Sequence, residues 1–261
     1  MDLGIARRTA LVLGGGGGLG RAIAHSLARE GASVAVGDIH GANAEETAGQ
    51  IREAGGNAIG LEWDLGDLDR IEPCFAEIEW QLGPVDILIN NTGGPPPTPA
   101  AGQDAQIWSR YFGSMVLSVI AITDRAVPGM RDRKWGRIVT STSSGVLAPI
   151  PNLGISNTLR SALVGWSKTI ASELACDNVT ANIVVPGRIA TQRTLFLDEK
   201  YAERAGRSRD DVEAEFVDAI PMRRYGDPGE YADVVAFLAS ERASYLTGSI
   251  IRVDGGAIPA I

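Results

Sequence analysis

The stretch GISNTLR at 154–160 places Ser156 and Arg160 four residues apart, so on a helix they share one face, one turn apart. It follows STSS at 141–144, so hydroxyls and a guanidinium converge if the two segments meet in space. A second chemical group is LVLGGGGGLGRAI at 11–23, which reads as a strand, a glycine loop and a helix start. In that order Gly14 permits a tight turn and the loop's N–H groups approach a diphosphate. The helix start at Gly18, Leu19 and Gly20 adds partial positive charge. A glycine run by itself also fits a flexible turn, and its place in the first strand-helix unit is what makes it specific. The next apolar run, SVAVGD, ends at Asp38. A carboxylate there bonds both hydroxyls of an adenosine ribose and repels a 2′-phosphate, which favours NAD over NADP.

These residues need elements to hold them. Apolar runs alternate with amphipathic segments along the whole chain: TALVLG, GRAIAHSLAREG, SVAVGD, AEETAGQIREAG, AIGLEWD, IEPCFAEIEWQLG, DILIN, a helix around 104–130, GRIVTST, a helix from about 155 to 176, TANIVVPG, EYADVVAFLAS and SIIRVDGG. This alternation predicts an α/β protein, a Rossmann-type doubly wound parallel sheet with helices on both faces, as a single domain over 1–261. No composition shift and no internal repeat divides it. Two segments interrupt the rhythm. GGPPPTPAAG at 93–102 follows a strand end and overhangs the expected ligand crevice. The polar segment from about Thr191 to Arg224 is long for a connection, so a partly helical substrate lid over 191–224 is expected.

Composition narrows the partners. The 261 residues carry a net charge of -8, with scattered Lys and Arg and no basic block, which argues against nucleic acid and anionic membrane and for a small molecule. Cys74 and Cys176 lie far apart with no CxxC spacing, so a reducing, cytoplasmic setting is expected. The apolar run after Arg7 and Arg8 breaks into five glycines, unlike a signal peptide, and no segment is apolar enough for a bilayer span. With only His25 and His40 and no clustered acids or thiols, no metal site is expected.

The chain resembles the short-chain dehydrogenase/reductase family over essentially its whole length. The family's TGxxxGxG appears as LGGGGGLG, with Leu13 in place of threonine. Its acidic step after the third strand corresponds to Asp64 and Leu65, beside the adenine. Its NNAG segment is NNTG, Asn90, Asn91, Thr92 and Gly93. Its PGxIxT segment is Pro186, Gly187, Arg188, Ile189, Ala190 and Thr191, beside the nicotinamide, and YLTGSIIRVDGG at 245–256 looks like its last strand. The chain is similar to the subgroup of β-ketoacyl-carrier-protein reductases with imperfect motifs. The resemblance implies a homo-oligomer, tetramer or dimer, built through two long helices and the C-terminal strand.

It also implies a catalytic Asn, Ser, Tyr and Lys. In such a set a phenol of pKa about 10 is drawn down by an ammonium and exchanges a proton with the substrate oxygen. Counting from GRIV, the serine is Ser143, the tyrosine position is Ser156 and the lysine position is Arg160. Counting back from Pro128, the asparagine position is Met115. No tyrosine lies between Tyr111 and Tyr201 and no lysine between Lys134 and Lys168, so the usual relay is missing whatever the alignment. Ser156 still donates a hydrogen bond, and Arg160 can hold ribose hydroxyls or a carboxylate. Arg188, just after Pro-Gly, adds a second arginine and favours an anionic substrate. Tyr111, one turn before Met115, is a packing aromatic in preference to a substitute phenol, and Lys168 reads as a solvated helix lysine.

Three functions follow. The first is an NAD-dependent oxidoreductase on a small carbonyl or alcohol, its proton routed through Ser143, water or the substrate's own acid group. The second is a catalytically silent NAD-binding sensor or partner subunit. The third is non-redox chemistry of the halohydrin dehalogenase type, where arginine also stands at the lysine position; those proteins keep the tyrosine and lose the glycine loop, the reverse of this chain.

Overall fold

The computed structural model describes residues 1–259. Seven strands form one parallel sheet: β1 (Thr9–Leu13), β2 (Ser33–Asp38), β3 (Asn57–Glu62), β4 (Val85–Asn90), β5 (Gly136–Ser141), β6 (Val179–Pro186) and β7 (Ile250–Val253), in the spatial order β3-β2-β1-β4-β5-β6-β7. β1, β4 and β5 are buried along their whole length, as expected of central parallel strands covered on both faces. The edge strands β3 and β7 are partly exposed.

Helices α1 (Gly18–Arg29), α2 (Gly41–Glu53) and α9 (Pro228–Leu238) cover one face, where Ile23, Leu27, Ile51, Tyr231 and Val235 meet Val12, Val34 and Val184. Helices α3 (Ile71–Gln81), α5 (Ser118–Asp132) and α6 (Gly154–Leu174) cover the other, where Phe75, Ile78, Ile122 and Leu174 meet Leu11, Leu88 and Ile138. Chain order reverses between β1 and β4, so the crevice opens at the carboxyl ends of those strands.

The expected helix at 104–130 is α4 (Ala105–Phe112) joined to α5 by a wide π turn over Gly113–Leu117. Such a turn inserts one residue into the helical ladder and re-aims the side chains after it. The segment expected as a lid folds into α7 (Gln192–Ala205), capped by Thr191, and α8 (Arg209–Ala219), capped by Ser208. A bridge between Ile189 and Gly226 closes the base of this excursion.

Candidate active site

One crevice of about 1580 Å³ runs across the carboxyl ends of the strands, from Asp38 and Asp64 at one end to α7 and α8 at the other. At the first end, β1 stops at Leu13 and Gly14 turns with φ +59°. A Cβ on Gly20 would lie 2.0 Å from the Gly14 carbonyl oxygen, so only glycine lets α1 pack against the loop. Around Gly17 there is open space, and the first turn of α1 has neither a side-chain cap nor an acidic residue. Its free N–H groups and dipole therefore face the crevice without a protein partner of opposite charge, which fits a dinucleotide's diphosphate.

Asp38 is fixed by the backbone N–H groups of Gly16 at 2.9 Å and His40 at 3.0 Å, which present a rigid carboxylate to the crevice. Asp64 accepts from Gly66 N at 2.8 Å, and it lines the same end with Leu65. Asn91 donates to the carbonyls of Leu13 at 3.3 Å and Gly14 at 3.2 Å, tying the end of β4 to the glycine loop. Gly14, Gly18, Leu19, Gly93, Pro186, Gly187, Ile189 and Thr191 all line the crevice.

Two expected contacts are corrected. Asn90 is fully buried under the sheet's end and points its amide at Thr123, 3.3 Å away, and Thr140, 3.5 Å away, so it braces β4 rather than touching a ligand. Gly20 is buried behind the loop and serves the packing of α1.

At the other end the structure brings Ser143, Ser156 and Arg160 together as crevice-lining residues. Ser143 follows β5 at the start of a short 3-10 turn, and its Oγ accepts from Gly145 N at 3.1 Å. Asn157 crosses to the loop before α6, donating to the Ile150 carbonyl at 2.9 Å. Arg160 is buried and donates to three backbone carbonyls: Ser141 at 3.3 Å, Thr92 at 3.1 Å and Gly93 at 3.2 Å. Burial, then the neighbouring Arg193, lowers its pKa to about 10, still far above neutrality, so it stays charged. Met115 lines the crevice, while Lys168 lies outside it and bonds the Gly248 carbonyl at 3.1 Å. Tyr111 packs against the cluster of Met115, Val116, Ile155 and Leu159, and it also lines the crevice.

Arg188 departs from its expected role. It lines the crevice, but its charge is taken up by the buried carboxylate of Asp198, which also accepts from the Tyr225 hydroxyl at 2.8 Å. Its guanidinium lies 3.3 Å from the centre of the Phe216 ring. It therefore holds α7 and α8 down instead of offering a free charge to substrate. Sequence reasoning missed Arg193 of α7, which reaches the Pro95 carbonyl at 2.6 Å. Thr92 of NNTG and Thr142 of STSS are buried crevice residues whose Oγ1 atoms have no protein partner among the described residues.

The family model described as enoyl-(acyl carrier protein) reductase matches residues 15–257. The chain belongs to the short-chain dehydrogenase/reductase family. The 3-oxoacyl-acyl-carrier-protein reductase of Aquifex aeolicus is 34% identical over 259 residues, covering 98% of this chain and 99% of the relative. L-sorbose reductase from Gluconobacter frateurii, solved with NADPH and L-sorbose, superposes with a TM-score of 0.93 at 29% identity, with 100% of both chains covered. A 7 alpha-hydroxysteroid dehydrogenase solved with NADH and 7-oxo glycochenodeoxycholic acid gives 0.89 at 27% identity, covering 99% of this chain and 97% of the other. Within this short-chain dehydrogenase/reductase, Ser156 and Arg160 both line the crevice.

Proposed function

We propose that this protein is an NAD-dependent oxidoreductase acting on a small carbonyl or alcohol, with a non-standard proton route. The observation that carries it is the pairing, in one crevice, of an uncapped α1 N-terminus with the fixed Asp38 carboxylate. Gly14, Gly18, Leu19 and Thr191 would hold the dinucleotide, with Asp38 on the adenosine ribose. The same carboxylate would repel a 2′-phosphate, which is why NAD is favoured although several relatives use NADPH.

When bound, the nicotinamide supplies or accepts the hydride. Ser143 accepts from Gly145 N, which leaves its own proton free to donate to the substrate oxygen, and Ser156 adds a second hydroxyl. Neither titrates near neutral pH, so the proton itself comes from water or from an acid group of the substrate. The helices α7 and α8 act as the substrate lid. Cys74 and Cys176 are free thiols, in keeping with a cytoplasmic setting, and no helix among the described residues is long and apolar enough to cross a membrane.

NADH and NADPH fluorescence on titration with protein tests the cofactor end, with tighter NADH binding expected; binding of neither would sink the proposal. A panel of ketones, aldehydes and oxo acids with NADH then separates it from a silent NAD-binding protein. That second reading rests on the missing phenol at position 156.

A further inference from the structure

In a chain of net charge -8, the substrate end of the crevice is lined by Arg160, Arg188, Arg193 and Arg204. The carboxylates that line the crevice, Asp38, Asp64 and Asp67, all stand at the opposite end. Arg188 has its charge balanced by Asp198. Arg160 and Arg193 have no carboxylate partner among the described residues: Arg160 donates to the neutral carbonyls of Ser141, Thr92 and Gly93, and Arg193 donates to that of Pro95 and lies 5.5 Å from the Phe196 ring. The two guanidiniums converge on the backbone at Gly94, where a Cβ would meet Arg193 Nη2 at 3.2 Å and Arg160 Nη2 at 3.6 Å.

Two cations held side by side in a half-closed crevice repel each other and lack their counter-charge. Burial lowers the pKa of both, and Arg193 itself contributes to the lowering at Arg160. The arrangement is stabilised most by an anion that brings its own charge to the two guanidiniums. Arg160 enters from α6 beneath the strand ends and Arg193 from the first turn of α7, so a ligand between them also joins the lid to the sheet.

Resting on the oxidoreductase reading, we propose that Arg160 and Arg193 form a two-pronged anion subsite that takes the carboxylate of an oxo-acid or hydroxy-acid substrate. Arg193, not Arg188, is the second arginine. The other source of this chemistry is the cofactor's diphosphate, for which the α1 N-terminus already provides a place.

The test is calorimetry on the whole protein, without turnover, using a panel of small oxo-carboxylates and their methyl esters, with and without NADH. At least one acid should bind about tenfold tighter than its ester, Arg193→Gln should abolish that preference, and Arg193→Lys should restore part of it. NADH affinity should be unchanged in both variants. Esters that bind as well as acids, no acid that binds, or an acid preference that survives Arg193→Gln would each overturn the subsite. Loss of NADH affinity in Arg193→Gln with the acid preference intact would assign the arginine to the diphosphate. Failure of the oxidoreductase reading looks different: no NADH binding and no redox turnover, whatever the acid preference.

Discussion

Arg160 combines two roles that a shorter side chain would separate. Its guanidinium ties the ends of β4 and β5 together through three carbonyls, as Arg137 does away from the crevice with the carbonyls of Ser240, Gly136 and Asn178. Removing it leaves buried carbonyls without donors but also removes a desolvated charge. Arg160→Ala should therefore cost on the order of 2–4 kcal/mol, lowering Tm by roughly 5–12 °C in a thermal melt. A melt unchanged within error would show that the three bonds contribute nothing. The double change Ser156→Tyr with Arg160→Lys places a phenol and an ammonium where the family pattern has them. It should raise reduction of simple ketones by about 100-fold or more, measured as NADH oxidation, since a positioned general acid contributes on that order. No gain would place position 156 away from the reacting oxygen. That Ser143, Ser156 and Arg160 share one crevice was legible because their spacing places them within two consecutive elements. Arg193 was not, because its importance comes from proximity to Arg160, which only the fold creates. Asn90 sits at a strand end, and the alternation that turns Asn91 toward the loop turns Asn90 inward.

The excursion of α7 and α8, proposed as the lid, is held by one buried carboxylate. Asp198 of α7 takes Arg188 from the segment after β6 and the Tyr225 hydroxyl from the segment after α8. Desolvation by burial, then the bond to Asp198, pushes the Tyr225 phenol above its ordinary value, so it stays protonated and donating across the working range. Asp198→Asn would leave Arg188 unbalanced, for about 2–4 kcal/mol of lost stability after allowing for its partial exposure. Trypsin should then cut faster at the arginines and lysine of 192–209 while NADH affinity is unchanged; equal cleavage rates would show that the ion pair does not anchor the lid. The far end of the excursion has a pH-sensitive clasp. Glu230 pairs with Arg224 and accepts from the N–H of Asp227 in the capping box of α9, and these contacts draw its pKa down to about 2. A depressed carboxylate adds stability that is present above its unfolded value near 4.5 and is lost as pH falls toward 2. The difference in Tm between pH 6 and pH 3 should accordingly be smaller in Glu230→Gln than in the parent, and an equal or larger difference would contradict this. Long polar composition made the excursion readable as partly helical, but nothing local marked Asp198 as its anchor.

At the scale of the whole molecule the sheet and its switch point were readable because each strand is a continuous apolar run and each helix keeps one apolar stripe. What the single chain leaves unresolved is its edge. β7 has one strand neighbour, β6, with Ile250 exposed, and the segment before it exposes Tyr245 and Leu246. On the other helical layer, Ile107, Phe112 and Leu117 of the α4 and π-turn region are also exposed. An uncovered edge strand bearing apolar side chains is a template for association, and proteins either charge it or cover it. Cover by further copies of the chain is the outcome we expect, so sedimentation velocity should give a dimer or tetramer of the 27.5 kDa chain, and Ile250→Lys should shift it toward the monomer. A parent that sediments as a monomer at micromolar concentration would refute this. The consequence reaches the crevice, because the residues just after β7, Ala257, Ile258 and Pro259, line its substrate end, and Ile258 packs against Ile183 and Val185. If assembly fixes that edge, the dissociated variant should show a raised KM for substrate with little change in NADH affinity. Equal weakening of both would instead place the edge's influence on the sheet as a whole.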